Sequence, residues 1–133
     1  ARSGELVDPL DHPRLVATVD GAPAGLLTYI VRGDACEILT LHAVARGHGV
    51  GTTLIDAVAR VAAGAGCRML WVVTTNDNTD ALRFYQRRDF RIRVVRPGAV
   101  DVARERLKPE IPLIGDHGVP IRDEIELERQ ITG

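Results

Sequence analysis

The chain has 133 residues, of which 45% are hydrophobic and 26% are charged, and its formal net charge at pH 7 is −1. This length predicts one domain, residues 1–133, and the near-neutral charge argues against nucleic acid or an anionic membrane as a partner. No apolar stretch approaches the roughly 20 residues that span a bilayer. The two cysteines form no pattern typical of a metal site or a disulfide framework, so we expect a cytoplasmic protein that binds no metal.

Alternating apolar and β-branched runs predict three strands in the first third of the chain. Residues 14–20 and 24–32 flank the turn sequence GAP and predict an antiparallel hairpin. Residues 36–44 follow the turn RGD and predict a strand that is buried over most of its surface.

The sequence pattern of the middle of the chain predicts a strand–helix–strand crossover, followed by a second helix and another strand. Apolar residues at helical spacing predict a helix over 50–63, ending at the sequence GAG, and residues 68–75 predict a central strand parallel to the preceding one. A second helix is expected over about 78–88, with Asn78 or Thr79 as N-cap, and residues 90–95 predict a half-buried strand. Four residues of that helix are expected to face inward: Ala81, Leu82, Phe84 and Tyr85.

The C-terminal region predicts a short helix over about 99–107, a loop over 108–121 and a last strand over 121–131. Three of the seven prolines lie in the loop, which indicates a defined path without regular structure. Alternation of apolar and charged residues favours the strand, and helix is the alternative because Glu and Arg are good helix formers.

The sequence ARGHGVGTTL, residues 45–54, carries glycines at 47, 49 and 51 at the expected start of the first helix. Free backbone N–H groups and the helix dipole make such a corner an anion site, and Arg46 adds a charged donor. The corner lacks the Gly-Lys-Ser/Thr of a nucleotide P-loop and the third glycine of a dinucleotide fingerprint. The alternative is a tight turn that only caps the helix.

A second segment, NTDALRFYQRRDF at 78–90, follows the next predicted strand. Together the two segments resemble the GNAT acyltransferase superfamily, in which an Arg/Gln-x-x-Gly-x-Gly/Ala loop holds the pyrophosphate of acyl-coenzyme A. A later Asn-x-x-Ala-x-x-Phe-Tyr helix flanks the thiol end. The resemblance covers about residues 14–96, with Phe90 closing the second segment. It departs at Asp89, where the family usually has glycine, and this leaves the conformation of the turn open.

The resemblance implies an α/β fold (α+β in some schemes): a mixed, mostly antiparallel sheet with a central splayed parallel strand pair, flanked by helices. The cofactor-binding core would be residues 14–96, and residues 97–133 would add a helix, the Pro-rich loop and a last strand. It also implies an N-acetyltransferase that transfers acetyl from acetyl-CoA directly to a primary amine of a small molecule or protein. Cofactor contacts are expected from Leu41, His42, Ala43, Val44, Arg46, Gly47, His48, Gly49, Val50, Gly51, Thr52, Asn78, Ala81, Phe84 and Tyr85.

Three residues are candidates for the chemistry. Tyr85 matches the family tyrosine that often protonates the departing thiolate, and the alternative is a core aromatic. Glu37 is a candidate base because family members often carry an acidic base on this strand, and His42 is a second one because the imidazole pKa near 6.5 is suitable. Glu37 is alternatively a solvated or Arg-paired residue, and His42 a packed one. Asn78 fits both an N-cap and a pantetheine contact.

The acceptor side is the least defined by sequence. Family members open with a strand and two helices that build one wall of the acceptor pocket, whereas about thirteen residues precede the first strand here. A shortened protein, residues absent upstream and a partner subunit are the open explanations, and a homodimer is expected. Asp116 and His117 in the Pro-rich loop are candidates for the missing wall. A non-catalytic acyl-CoA-binding or sensor module is the alternative function.

Overall fold

The computed structural model describes residues 12–44 and 49–131. Six strands form one sheet in the order β1-β2-β3-β4-β6-β5. The elements are β1 (Arg14–Val19), β2 (Ala22–Arg32), β3 (Ala35–Ala43), α1 (Val50–Gly64), β4 (Met69–Thr75), α2 (Thr79–Gln86), β5 (Arg91–Arg96), α3 (Ala99–Arg106) and β6 (Glu124–Gln130). Antiparallel pairing of β1 with β2, β2 with β3 and β5 with β6, together with a parallel β3–β4 pair, confirms the predicted mixed sheet.

Internal contacts divide the chain into two compact units. One contains the described residues 12–72 and 129–131, and the other contains residues 73–128. Both β4 and β6 contribute residues to each unit. Within the described parts of the chain, no helix has both the length and the apolar character needed to cross a membrane.

The unit containing residues 12–72 has its core between α1 and the sheet. Leu54, Ile55, Val58 and Ala62 of α1 are buried at helical spacing, as the sequence predicts. On the sheet, Leu27 and Cys36 are fully buried. This packing places the first turn of α1 directly over β2.

The unit containing residues 73–128 has an aromatic core. Tyr85 stacks edge-on against Phe84 at 5.3 Å and Phe90 at 5.2 Å between ring centroids, and Val100 and Leu127 are buried. The last element is a strand, because Glu124–Gln130 pairs with β5, so the helical alternative is excluded. This strand starts at Glu124 rather than at residue 121. The backbone of residues 121–123 is hydrogen-bonded to the side chains of Arg104 and Asn76 instead of to a strand.

Candidate functional site

The N-terminus of α1 has the features of an anion site. Its N-cap, Gly49, has a left-handed backbone with φ 65°, and within the described residues no side chain caps the helix and its first turn contains no acidic residue. The first intrahelical donor is the Thr53 amide, which donates to Gly49 O at 2.9 Å. The preceding amides of Val50 and Gly51 therefore have no acceptor within the helix. Arg46, Gly47 and His48 lie outside the described residues.

Gly25 of β2 sets the position of this helix start. A Cβ added to Gly25 would overlap Cγ1 of Val50 and lie 3.0 Å from Cδ1 of Leu54. Only glycine allows the first turn of α1 to pack this closely on β2. Gly25 was not predicted from the sequence, where its only signal is a glycine inside a strand pattern, which indicates close backbone approach.

The parallel pair β3–β4 separates partway along its length. The pairing runs from Ala35 with Met69 to Ile38 with Val72, whereas β3 continues to Ala43. Leu39 is an extra residue at this point, because Ile38 pairs with Tyr29 and Thr40 with Thr28 on β2. This β-bulge bends the strand where the pair ends, which gives the splayed geometry that the resemblance implies.

Beyond the bulge, β3 directs two backbone amides away from β2. Val44 N donates to Ala24 O at 2.8 Å, so the Val44 amide is already used. Because residues in an antiparallel ladder alternate between facing the neighbour and facing away, His42 also faces β2. The amides of Leu41 and Ala43 face the other way. Of the four residues predicted to supply backbone donors to the cofactor, Leu41 and Ala43 therefore have amides that are not directed at β2.

The bulge also places both base candidates on one face of the sheet. Cross-strand partners share a face of the sheet, and Glu37 pairs with Ile30 while His42 pairs with Leu26. Because side chains alternate along a strand, Leu26 and Ile30 lie on the same face of β2, and so do their partners. Thr40 lies on this face too, since its hydroxyl lies 2.7 Å from that of Thr28. Glu37 is buried, with 2% exposed, and His42 is exposed. Gly25 and the residues on its face of β2 are directed at α1, so Glu37 and His42 lie on the opposite face of the sheet.

Cys36 is not a candidate nucleophile. It is fully buried beside Glu37, and burial, with Cys67 and Glu37 adding to it, raises the pKa of the Cys36 thiol to about 12. The reactive thiolate is therefore scarce at neutral pH.

The N-terminus of α2 differs from that of α1, because its own side chains occupy it. The Asn78 side-chain oxygen accepts from Ala81 N at 3.1 Å, which confirms Asn78 as the N-cap and leaves its amide nitrogen as a donor. Asp80 in the first turn contacts Arg83 at 3.2 Å and His117 Nε2 at 3.1 Å. Both contacts are exposed to solvent.

Tyr85 is the one residue of α2 that is buried, with 6% exposed; Ala81, Leu82 and Phe84 are half-buried. Burial raises the pKa of the Tyr85 phenol to about 12. The phenol is therefore protonated throughout the physiological range. Both predicted roles, core aromatic and hydroxyl donor, are compatible with this placement.

Asp89 adopts the backbone conformation that glycine favours. Its φ is 68°, and the turn closes α2 through Phe90 N, which donates to Tyr85 O at 3.1 Å. The turn thus keeps a left-handed residue although the side chain is aspartate, which tolerates this region better than most residues.

Most of the arginines near α2 and β5 already have partners. Arg88 lies 3.7 Å from the Phe84 ring, Arg93 contacts Glu126 at 2.8 Å, and Arg96 contacts Glu126 at 2.9 Å and Glu124 at 3.3 Å. These pairs favour a structural role.

The Pro-rich loop is held in place by residues whose role was not predicted from the sequence. Arg104 of α3, only 14% exposed, donates to the carbonyls of Ile111, Pro112 and Ile121 at 2.8–2.9 Å. Such a fork of donors suits arginine alone.

Residues that follow β4 hold the other side of the same loop through hydrogen bonds. Asn76 donates to Pro120 O at 2.9 Å and accepts from Arg122 N and Asp123 N at 3.0 Å. Buried Asp77 accepts from Asp116 N at 3.0 Å and contacts the Thr75 hydroxyl. The only sequence signal for these anchors is the polar run TTNDN after a strand.

The chain is similar in sequence to known proteins. Residues 4–90 match the model of the acetyltransferase (GNAT) family. The YxbD protein of Bacillus subtilis strain 168 is 41% identical over 112 residues, which are 84% of this chain and 70% of that protein.

Two solved structures have the same fold. An acetyltransferase of Bacillus subtilis in complex with CoA superposes with a TM-score of 0.75 at 20% identity, covering 90% of this chain and 76% of that one. A GNAT family acetyltransferase of Elizabethkingia anophelis with acetyl-CoA bound gives 0.75 at 22% identity, covering 88% and 74%. With the family model matching most of the chain, the protein belongs to the GNAT acetyltransferase family.

Proposed function

We propose that the protein is an N-acetyltransferase that transfers the acetyl group of acetyl-CoA to a primary amine of a small molecule or protein, by direct attack in a ternary complex. The observation that carries this proposal is the uncapped N-terminus of α1, which follows the glycine sequence of the family. Arg46, Gly47 and His48, with the amides of Val50 and Gly51, would hold the pyrophosphate.

The open segment of β3 supplies the next contacts in this proposal. The amides of Leu41 and Ala43 point away from β2 and would bind the pantetheine and the thioester carbonyl. Fixed backbone donors are effective at stabilising an oxyanion, because they need no reorganisation when charge develops. The free amine nitrogen would attack the thioester carbon as these donors take up the charge on its oxygen.

The amine proton would pass to Glu37 or His42. Their shared face makes them alternatives for one task, with Glu37 buried and His42 exposed. Glu37→Gln and His42→Gln separate the two roles: the variant of the true base would lose about 100-fold in kcat, while the other would stay within a few-fold.

Tyr85 would donate a hydrogen bond to the departing thiolate. With the phenol pKa near 12 and an ordinary thiol near 8.5, complete proton transfer is uphill by on the order of 5 kcal/mol. Hydrogen-bond donation does not carry that penalty. The second candidate function is a non-catalytic acyl-CoA-binding or sensor module, which would use the anion site at the N-terminus of α1 without needing a donor to the thiolate.

The fastened loop over 108–121 would form one wall of the acceptor pocket. Arg104, Asn76 and Asp77 hold its backbone, and His117 contacts Asp80 at the start of α2. We expect Asp116→Ala with His117→Ala to raise the acceptor KM; an unchanged KM would remove the loop from the acceptor site.

A turnover assay tests the proposed activity. Release of free CoA thiol would be followed with a panel of primary amines for the wild type, Tyr85→Phe and the control Tyr29→Phe. The enzyme proposal expects amine-dependent release that falls about 10- to 100-fold in Tyr85→Phe only. Saturable acetyl-CoA binding without release for any amine would favour the binding module.

A further inference from the structure

A surface pocket of about 190 Å³ lies between the C-terminal half of α1 and the end of β6, within one compact unit. Its lining combines three small or apolar residues with three that carry N–H donors: Ala59, Arg60, Ala63, Arg129, Gln130 and Ile131. Ala59 and Ala63 lie one turn apart on α1, so their methyl groups lie on the same side of the helix and together provide an apolar floor. No acidic residue lines it.

The two arginines of this pocket differ from those of β5 and α3. Arg93, Arg96 and Arg104 contact carboxylates at 2.8–3.3 Å. Within the described residues no ion pair involves Arg60 or Arg129, and Arg129 is half-buried. Two like charges in one concave site, one of them partly desolvated, favour an anion between them.

We propose that this pocket binds a small organic carboxylate with a short apolar body. The planar guanidinium fork matches a carboxylate in two-point geometry, and Gln130 adds a neutral donor. The alanine floor and Ile131 would receive the aliphatic part. The site involves none of the residues proposed to bind acetyl-CoA, and its test is therefore independent of acetyl transfer.

The test is an NMR titration of the full chain, isotopically labelled at its alanine methyl groups, with sodium isovalerate at constant ionic strength. The chemical shifts of these methyl groups report binding. Isovaleramide, of the same shape without charge, and inorganic phosphate, a charge without the apolar body, are the matched probes. We expect saturable shifts at the Ala59 and Ala63 methyls with isovalerate, weaker binding of phosphate and no saturation with isovaleramide. Arg60→Gln and Arg129→Gln are each expected to weaken isovalerate binding about tenfold.

Two further variants make the result decisive. Arg32→Gln removes an exposed arginine of the same unit and should leave the affinity unchanged, whereas Ala63→Leu should block the pocket with both charges kept. Equal saturation with isovaleramide, phosphate binding as tight as isovalerate, an equal loss in Arg32→Gln, or shifts that never saturate would each overturn the proposal.

Discussion

The two helices α1 and α2 follow the ends of β3 and β4, yet their N-termini are prepared for different partners. Gly51 and Asp80 occupy the same position, the second residue of each helix. In α2 the Asn78 cap and the Asp80 carboxylate use the amides and the dipole locally. In α1 the N-cap is Gly49, and the first turn contains no acid.

This difference shows which helix start is suited to an anionic ligand. An acidic residue in the first turn offsets the positive end of the helix dipole and repels a phosphate. The N-terminus of α2 therefore interacts with its own side chains rather than with an anionic ligand. At α1 the same backbone geometry is left for a ligand. The side chains at the N-cap and at the second residue of each helix thus decide between internal capping and anion binding.

We expect the largest effect from an acidic residue placed in the first turn of α1, where α2 has Asp80. Gly51→Asp would place a carboxylate at the position of Asp80, and we expect acetyl-CoA affinity to fall about 100-fold or more through charge repulsion. Calorimetry would measure it. Gly51→Asn is the control of equal size; a similar loss in both variants would mean that bulk, not charge, is decisive.

Moving the start of α1 should also weaken binding. Gly25→Ala introduces a methyl that overlaps Val50 Cγ1, so we expect a loss of about 1–3 kcal/mol in the free energy of unfolding, with weaker acetyl-CoA binding. Gly64→Ala makes the same change where nothing lies within 4 Å, and there we expect a gain of about 0.5–1 kcal/mol. Urea unfolding distinguishes them, and equal effects would contradict the close packing at Gly25.

At α2 the contrast predicts a cap rather than a ligand site. Asn78→Ala should cost about 1 kcal/mol in unfolding free energy, and Asn78→Asp should restore it because aspartate caps equally well. Stability and kcat/KM would be measured for both variants. Recovery of stability without recovery of kcat/KM would show that the Asn78 amide also contacts the ligand.

The smallest expected effect concerns the turn that ends α2. Asp89→Gly should raise the unfolding free energy by up to about 1 kcal/mol, since a left-handed φ suits glycine, and acetyl-CoA affinity should not change. Thermal unfolding would measure it. A lower stability in this variant would mean that the Asp89 side chain makes a contribution that its backbone conformation does not explain.

The regular elements could be predicted closely from the sequence. Periodicity located each strand and helix, and the N-cap of α2 was narrowed to Asn78 or Thr79 because residue type and position before an apolar helix are local signals. The glycine corner at α1 was found for the same reason. Such features depend on residues within one turn or one strand of each other.

The features that sequence did not predict depend on distant contacts. The bulge at Leu39, which puts Glu37 and His42 on one face, is set by pairing with β2. Arg104 and Asn76 bond to backbone groups 7 to 47 residues away. Close approach at Gly25 follows from packing of α1. No local pattern specifies these partners.

The most direct measurement is a calorimetric titration of the protein with acetyl-CoA, with NAD and ATP as competing ligands. If the N-terminus of α1 holds the pyrophosphate of the cosubstrate, acetyl-CoA will bind saturably at one site per chain, and neither NAD nor ATP will match it. Absence of binding would mean that this glycine corner only caps the helix, and equal affinity for ATP would mean that it binds phosphate groups without selecting acetyl-CoA.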